Sequence, residues 1–476
     1  MKILFIIPSV DKIKQWGRWH RGAGNNSFNY GIACLSGFLI EKGIDVSLID
    51  CQFLESMEEG LPEEIKRQKP DLIGISCFTP TYSDAIYTAN LCRKIAPDVK
   101  IVLGGAHPSL YPEDTLKENA SVDFVVFGEG EYTLYELISS IQSGEKDFSD
   151  IKGLGYRLNG SIVINGKRGF INELDDLPIP AYDIFPLAKY KIQITSYKRL
   201  PTYTMVASRG CPYSCTFCQV KQFLGIRMRY KSPHKLIEEI KFLKENFNAR
   251  GIMFQDSTFT FDWNWVKEFC GLMISEKMDM TWMCFTRADR VNEEILSLMK
   301  KAGCYGMSYG VESANQKSLD LLKKNVKVEK IVESVELSLK MGFFVTTTYI
   351  MGIPGEDEAD VRNTINLANK LATHIAHFYL PIPYPESEMF FQCKEDGGIR
   401  PVLKWEDFNM FDDEHPVYVN PRIGARRMKE LKKFAVRKYY TNPKVIIRNL
   451  KTINSYDDVK KYYTAAKAIW GFYTGK

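Results

Sequence analysis

Three cysteines, Cys211, Cys215 and Cys218, fall within the stretch SRGCPYSCTFCQV at C-x3-C-x2-C spacing, with no fourth cysteine nearby. A structural zinc site closes its shell with four ligands, whereas a catalytic one leaves a position open. Iron–sulfur clusters are normally held by four thiolates, so a cluster on three leaves one iron free to bind something else. Spacing alone therefore admits two centres: a zinc completed by a distant cysteine or histidine, and a cluster with one open iron. Both need free thiols. Eleven cysteines scattered over 476 residues make no small disulfide framework, and a reducing cytoplasm is the expected setting.

Such thiols need a frame to hold them. At 476 residues the chain exceeds one ordinary core, and its 45% apolar and 25% charged content is that of a soluble globular protein. From about 203 to 384, strand-like runs at 204–207, 251–254, 281–285, 305–309, 343–350 and 376–380 alternate with helical patterns. Ser232-Pro233 opens one such helix, whose apolar residues Leu236, Ile237, Ile240, Leu243 and Phe247 lie at helical spacing. Six βα units in succession predict a partial (βα)6 TIM-like barrel, with chemistry at the strand carboxyl ends. The cysteine loop directly follows the first of these strands.

Ahead of it, runs at 3–7, 45–49, 72–77, 101–103 and 124–127, with helical patterns at 30–42, 82–96 and 132–143, predict a doubly wound, flavodoxin-like α/β domain. Ligands of such sheets sit off the strand carboxyl ends. Turn residues gather there: Pro8-Ser9, Phe78-Thr79-Pro80, Gly104-Gly105 and Gly128-Glu129-Gly130. The expected division is a first domain at 1–145, a linker at 146–200, a barrel domain at 201–390 and a basic helical region at 391–476. Within the linker, Asn-Gly pairs at 159–160 and 165–166 flank SIVI and signal a short hairpin. The aromatic stretch at 16–30 is expected to loop over the cofactor or substrate face. MKILFIIPSV reads as a buried first strand rather than a signal peptide. No apolar run approaches the ~18 residues needed to span a bilayer. A net charge of +5 gives no reason to expect a nucleic-acid partner.

The loop, with aromatic Phe217 just before its third cysteine, resembles that of the radical S-adenosylmethionine (SAM) superfamily. The resemblance implies that Cys211, Cys215 and Cys218 hold a 4Fe-4S cluster whose open iron binds SAM, and that reductive cleavage of SAM yields a 5′-deoxyadenosyl radical. Further segments follow in family order. FQDSTFTFD at 254–262 nominates Asp256 for the SAM amino group, with Ser257 where a second acid is common. FTRADR at 285–290 nominates Arg287, either for the SAM carboxylate or as a rim salt bridge. YGVES at 309–313 places Glu312 and Ser313 near the ribose or amino group, and YIMGIPGE at 349–356 flanks adenine.

ISCFTPTYSDA, VLGGAHPSLYPED and VVFGEGEYTLYELI resemble the cobalamin-binding domain that precedes the barrel in one branch of that superfamily. That branch contains class B methyltransferases, anaerobic magnesium-protoporphyrin cyclases and hopanoid-modifying enzymes. The resemblance makes Thr79, Gly104, Gly105, His107, Gly128, Glu129 and Gly130 candidate cobalamin contacts. It departs in one respect. The D-x-H-x-x-G signature that supplies a cobalt ligand is absent; the lone Asp-x-His, Asp413-Glu414-His415, lies far outside, with Tyr418 where glycine is required. His107 is accordingly an ordinary loop histidine or a polar contact, not a cobalt ligand.

The activity implied is methylation of an unactivated carbon through methylcobalamin, with radical cyclisation or rearrangement as the alternative. The expected partners are a small molecule such as a lipid, isoprenoid or tetrapyrrole, and an electron donor of the flavodoxin or ferredoxin type. The basic, aromatic helices after 391 read as a solvated cap or as a peripheral surface for lipid or an anionic substrate.

Overall fold

The computed structural model describes residues 1–9, 28–193, 195–401, 403–409, 412, 415–453, 458–459 and 462–464. Most of the expected loop at 16–30, the Asp413-Glu414 pair and much of the last basic stretch lie outside these residues.

The first sheet contains β1 (Lys2–Ile7), β2 (Asp45–Asp50), β3 (Leu72–Ser76), β4 (Lys100–Gly104), β5 (Phe124–Val126), β6 (Leu154–Leu158) and β7 (Ser161–Ile164), in the order β2-β1-β3-β4-β5-β6-β7. The first five are parallel in the flavodoxin-like order. Helices cover both faces, so β3 is buried at four consecutive positions rather than alternately. The expected hairpin forms on Asn159 and Gly160, both at positive φ (49° and 83°), the geometry of a two-residue turn matching strand twist. It pairs antiparallel with β5 and so extends this sheet by two strands.

The second large sheet is all parallel and consecutive: β8 (Thr202–Met205), β11 (Gly251–Phe254), β12 (Thr281–Thr286), β13 (Cys304–Glu312), β14 (Phe344–Ile350) and β15 (Ile375–Tyr379). It is the predicted partial barrel. Ser232 caps its first helix, Pro233–Phe247, by accepting the Lys235 N–H, and Leu236, Ile237, Ile240 and Leu243 are buried. A two-stranded ladder, β9 (Ser208–Arg209) with β10 (Arg229–Tyr230), brackets the cysteine loop. β13 runs three residues beyond its expected end because its register against β14 shifts between Gly310 and Glu312, where Glu312 has φ +64°.

Two helices follow, Ala425–Tyr440 and Pro443–Leu450. The first buries Met428, Leu431, Ala435 and Tyr439 against the barrel, and the Tyr439 hydroxyl donates to the Thr373 carbonyl at 2.7 Å. The second turns Val445 inward and leaves Ile446, Ile447 and Leu450 exposed. No helix among the described residues is long and apolar enough to cross a membrane.

Candidate active site

The cysteine loop is fixed by its backbone before any ligand is considered. The Cys211 N–H donates to the Gly225 carbonyl at 3.0 Å, Thr216 N–H to Leu322 at 3.1 Å and Cys218 N–H to Cys215 at 3.1 Å. Gly210 has φ +91°, and a Cβ there would stand 2.2 Å from the Arg227 carbonyl oxygen. Only glycine fits. All three cysteines are free thiols, Cys215 buried and its neighbours half-buried. Burial raises the thiols of Cys211 and Cys218, the other cysteines of the loop add to this, and Lys324 opposes it at both. Arg287 also opposes it at Cys211. No three His, Cys, Asp or Glu side chains among the described residues close around a single-ion position. The loop offers three free thiols, and three thiolates rather than four would leave one iron of a cluster uncommitted.

Asp256, at the end of β11, is 2% exposed. Its carboxylate accepts the Ala207 N–H at 3.1 Å and the Ser208 hydroxyl at 2.5 Å, fixing the backbone that leads into the loop. Burial pushes it up to about 6, against the opposing hydrogen bonds. Arg287 forms a salt bridge, and it is buried rather than at a rim. It pairs with Asp289 at 2.8 Å, donates to the Lys324 carbonyl at 2.6 Å, and its guanidinium lies 3.7 Å from the Tyr213 ring centre within the cysteine loop. Glu312 accepts from Lys324 Nζ at 2.7 Å, and that ammonium lies 5.8 Å from the centre of the Phe217 ring. Ser313 is fully buried, its hydroxyl donating to Glu356 at 3.1 Å and accepting from Asn315. Glu356 is a hub missed by sequence reasoning. It gathers the N–H groups of Gly352 (3.0 Å) and Ile353 (3.1 Å) and the Ser318 hydroxyl (2.6 Å), holding the fifth-strand turn.

On the first sheet, the exits of β3, β4 and β5 form one ledge. Thr79 is buried, and its Oγ1 lies 3.2 Å from His107 Nδ1. Gly104 is half-buried with room above it, and at Gly128 (φ +81°) a Cβ would meet nothing within 4 Å. Gly105, at φ +101°, is packed so tightly that a Cβ would stand 2.5 Å from the Cys77 carbonyl. Gly130 backs onto Leu35 and Val126. His107 is fully buried among Tyr82, Tyr111 and Trp405, and its Nε2 has no hydrogen-bond partner among the described residues. Desolvation brings it down to about 3, so the ring is neutral. Glu129 is committed to the protein: it accepts from Arg229 and Arg209 Nη1 at 2.8 and 3.0 Å and from the Ile171 N–H at 2.7 Å. The open ledge over Gly104 and Gly128, beside an orphaned buried nitrogen, fits a large planar cofactor.

The first sheet's exits and the cysteine loop meet. Gln219, next to Cys218, donates to the Tyr111 hydroxyl at 3.0 Å, and both donate to the Pro385 carbonyl, at 3.1 and 2.7 Å. Arg209, two residues before Cys211, also pairs with Glu131 at 2.6 Å. Nothing in the spacing of these residues announces the contact, although the arginine in SRGCP stands in plain view.

The chain is similar to known proteins over both of these units. Residues 22–138 match the B12 binding domain family, and residues 205–368 match the Radical SAM superfamily. An uncharacterized methyltransferase of Pyrococcus horikoshii is 29% identical over 450 residues, spanning 94% of this chain and 95% of its own. The anaerobic magnesium-protoporphyrin IX monomethyl ester cyclase of Rubrivivax gelatinosus is 28% identical over 420 residues, 86% of this chain and 72% of its own. Among solved structures, TsrM of Kitasatospora setae, a radical SAM methyltransferase with cobalamin and a 4Fe-4S cluster bound, shares the fold at a TM-score of 0.72. That match covers 98% of each chain at 17% identity.

Proposed function

We propose that this chain, which belongs to the cobalamin-binding radical SAM enzymes, methylates an unactivated carbon of a small molecule. The observation that carries the reading is the hydrogen bond from Gln219 to Tyr111. It joins the cysteine loop to the segment that follows Gly104 and Gly105, and a reaction using both cofactors on one substrate requires such proximity. When bound, the cluster with SAM supplies a strongly oxidising radical and cobalamin a transferable methyl group.

The chain's own residues hold, orient and screen. Cys211, Cys215 and Cys218 ligate the cluster, leaving one iron for SAM. Phe217 and the turn held by Glu356 shield the reacting centre. Arg287, held by Asp289, and Glu312, held by Lys324, are assigned to the SAM carboxylate and amino groups, while Asp256 fixes the approach of the loop. Thr79, Gly104, Gly128 and neutral His107 line the cobalamin side. The substrate class is a lipid, isoprenoid or tetrapyrrole, with a flavodoxin- or ferredoxin-type donor delivering the electron.

The test uses anaerobically reconstituted enzyme with cobalamin, reductant and methyl-deuterated SAM, incubated with metabolite and lipid extracts. 5′-Deoxyadenosine and S-adenosylhomocysteine rising together, with a deuterated product, is the expected result. A second reading, cyclisation without methyl transfer, is favoured by the likeness to the Rubrivivax gelatinosus cyclase over 86% of the chain. It predicts 5′-deoxyadenosine with an unlabelled, cobalamin-dependent product.

A further inference from the structure

Lys324 stands at the cysteine loop although neither motif nor spacing nominates it, and the fold goes to some length to place it. It is 7% exposed, and its neighbours Lys323 and Asn325 both adopt left-handed backbone, φ +51° and +52°. Its N–H donates to the Leu319 carbonyl at 2.9 Å, and its own carbonyl accepts from Arg287 at 2.6 Å. The ammonium is then caught by Glu312 at 2.7 Å, with both side chains under 10% exposed. Glu312 reaches it from a left-handed position, φ +64°. Gly310 leaves the space: a Cβ there would stand 2.3 Å from Glu312 Oε1 and 2.9 Å from Lys324 Nζ.

The pair is oriented. Its ammonium end lies 5.8 Å from the centre of the ring of Phe217, between Cys215 and Cys218 in the chain, and the Leu322 carbonyl two residues before it accepts the Thr216 N–H of the same loop at 3.1 Å. Arg287, the other cation near Cys211, is offset by its two hydrogen bonds to Asp289. A cluster here accepts one electron from an external low-potential donor, its charge becoming more negative by one. A fixed positive end stabilises the reduced form more than the oxidised one, and cluster potentials respond to such local charge.

We infer that Lys324, held in place by Glu312 over Gly310, is a positioning charge that raises the reduction potential of the cluster on Cys211, Cys215 and Cys218. This rests on the cysteines holding the cluster, not on the fate of the substrate.

The test is an EPR-monitored redox titration of reconstituted enzyme without SAM, with iron and sulfide measured on the same samples. The variants are Lys324→Arg, which keeps the cation, and the double variant Glu312→Gln/Lys324→Met, which removes the pair without stranding a buried charge. The double variant is expected to shift the reduction equilibrium about tenfold toward the oxidised cluster, about 59 mV for one electron, while Lys324→Arg stays near the parent. Equal potentials in all three loaded proteins overturn the inference. So does a double variant that holds no cluster while Lys324→Arg loads normally, since the pair would then be building the loop rather than setting its charge. Absence of iron from the parent itself refutes instead the assignment of the cysteines.

Discussion

Asp256→Asn isolates what one buried carboxylate costs. The Asp256 carboxyl titrates near 6 in the folded protein against an ordinary 3.8, with desolvation the leading cause. The folded state therefore holds the proton more tightly than the unfolded chain. Stability contributed by this group is fully present below pH 3.8 and is lost as pH rises toward 6. At about 1.36 kcal/mol per unit, the ionised group costs the fold about 3 kcal/mol at neutral pH. Asparagine has the same shape, can accept from the Ala207 N–H and donate to the Ser208 oxygen, and does not ionise. Urea unfolding of apo parent and variant at matched pH cancels contributions common to both. The variant is expected to gain on the parent by up to about 3 kcal/mol between pH 4 and pH 7. A stability difference that stays flat across this window refutes the argument. So does one that moves the other way, which would mean that the hydrogen bonds from Ala207 and Ser208 outweigh burial.

Gly210→Ala should abolish cluster loading in iron and sulfide assays, because its Cβ would meet the Arg227 carbonyl at 2.2 Å on left-handed backbone; normal iron content would refute the packing argument. Glu129→Ala strands Arg229, whose side chain is 3% exposed, and should cost about 3–5 kcal/mol in urea unfolding; a loss below about 1 kcal/mol would show that the guanidinium finds another partner. With His107 held at about 3, the difference in hydroxocobalamin affinity between parent and His107→Gln should not change with pH between about 5.5 and 8. An inflection near the ordinary histidine value would show that the ring is hydrated. Cys211→Ala should lose iron and SAM cleavage together, and retention of both would remove the cluster from this loop.

The legible parts of the molecule were those written in local patterns. Alternating apolar runs gave both sheets, Ser232-Pro233 gave a helix start, and Asn159-Gly160 gave a hairpin, because each depends on neighbours in the chain. The cysteine triad was legible for the same reason. Side-chain destinations were not. Ser313 and Glu129 stand in segments that read as cofactor loops, yet their polar atoms are taken up by Glu356 and by Arg209 with Arg229. Lys324 lies in no quoted motif and Tyr111 lies in one that gives it no role; their importance comes from partners 12 and 108 residues away. The first contact depends on the left-handed turns at Glu312, Lys323 and Asn325, and the second on how the two sheets dock, and neither is written in an apolar pattern along the chain.

The docking of those sheets bears on how the protein matures. Glu129 lies on the exit of β5, and the arginine it grips lies two residues before Cys211, so the ledge of one domain is fastened to the mouth of the other. Whatever orders one side of that fastening makes the other cheaper to order, and linkage requires the effect to be mutual. Inserting iron and sulfide should therefore tighten the binding of the corrin, and a preloaded corrin should tighten the hold on the cluster by the same factor. The order in which a cell supplies the two then becomes a matter of kinetics, with either sequence leading to the same mature enzyme.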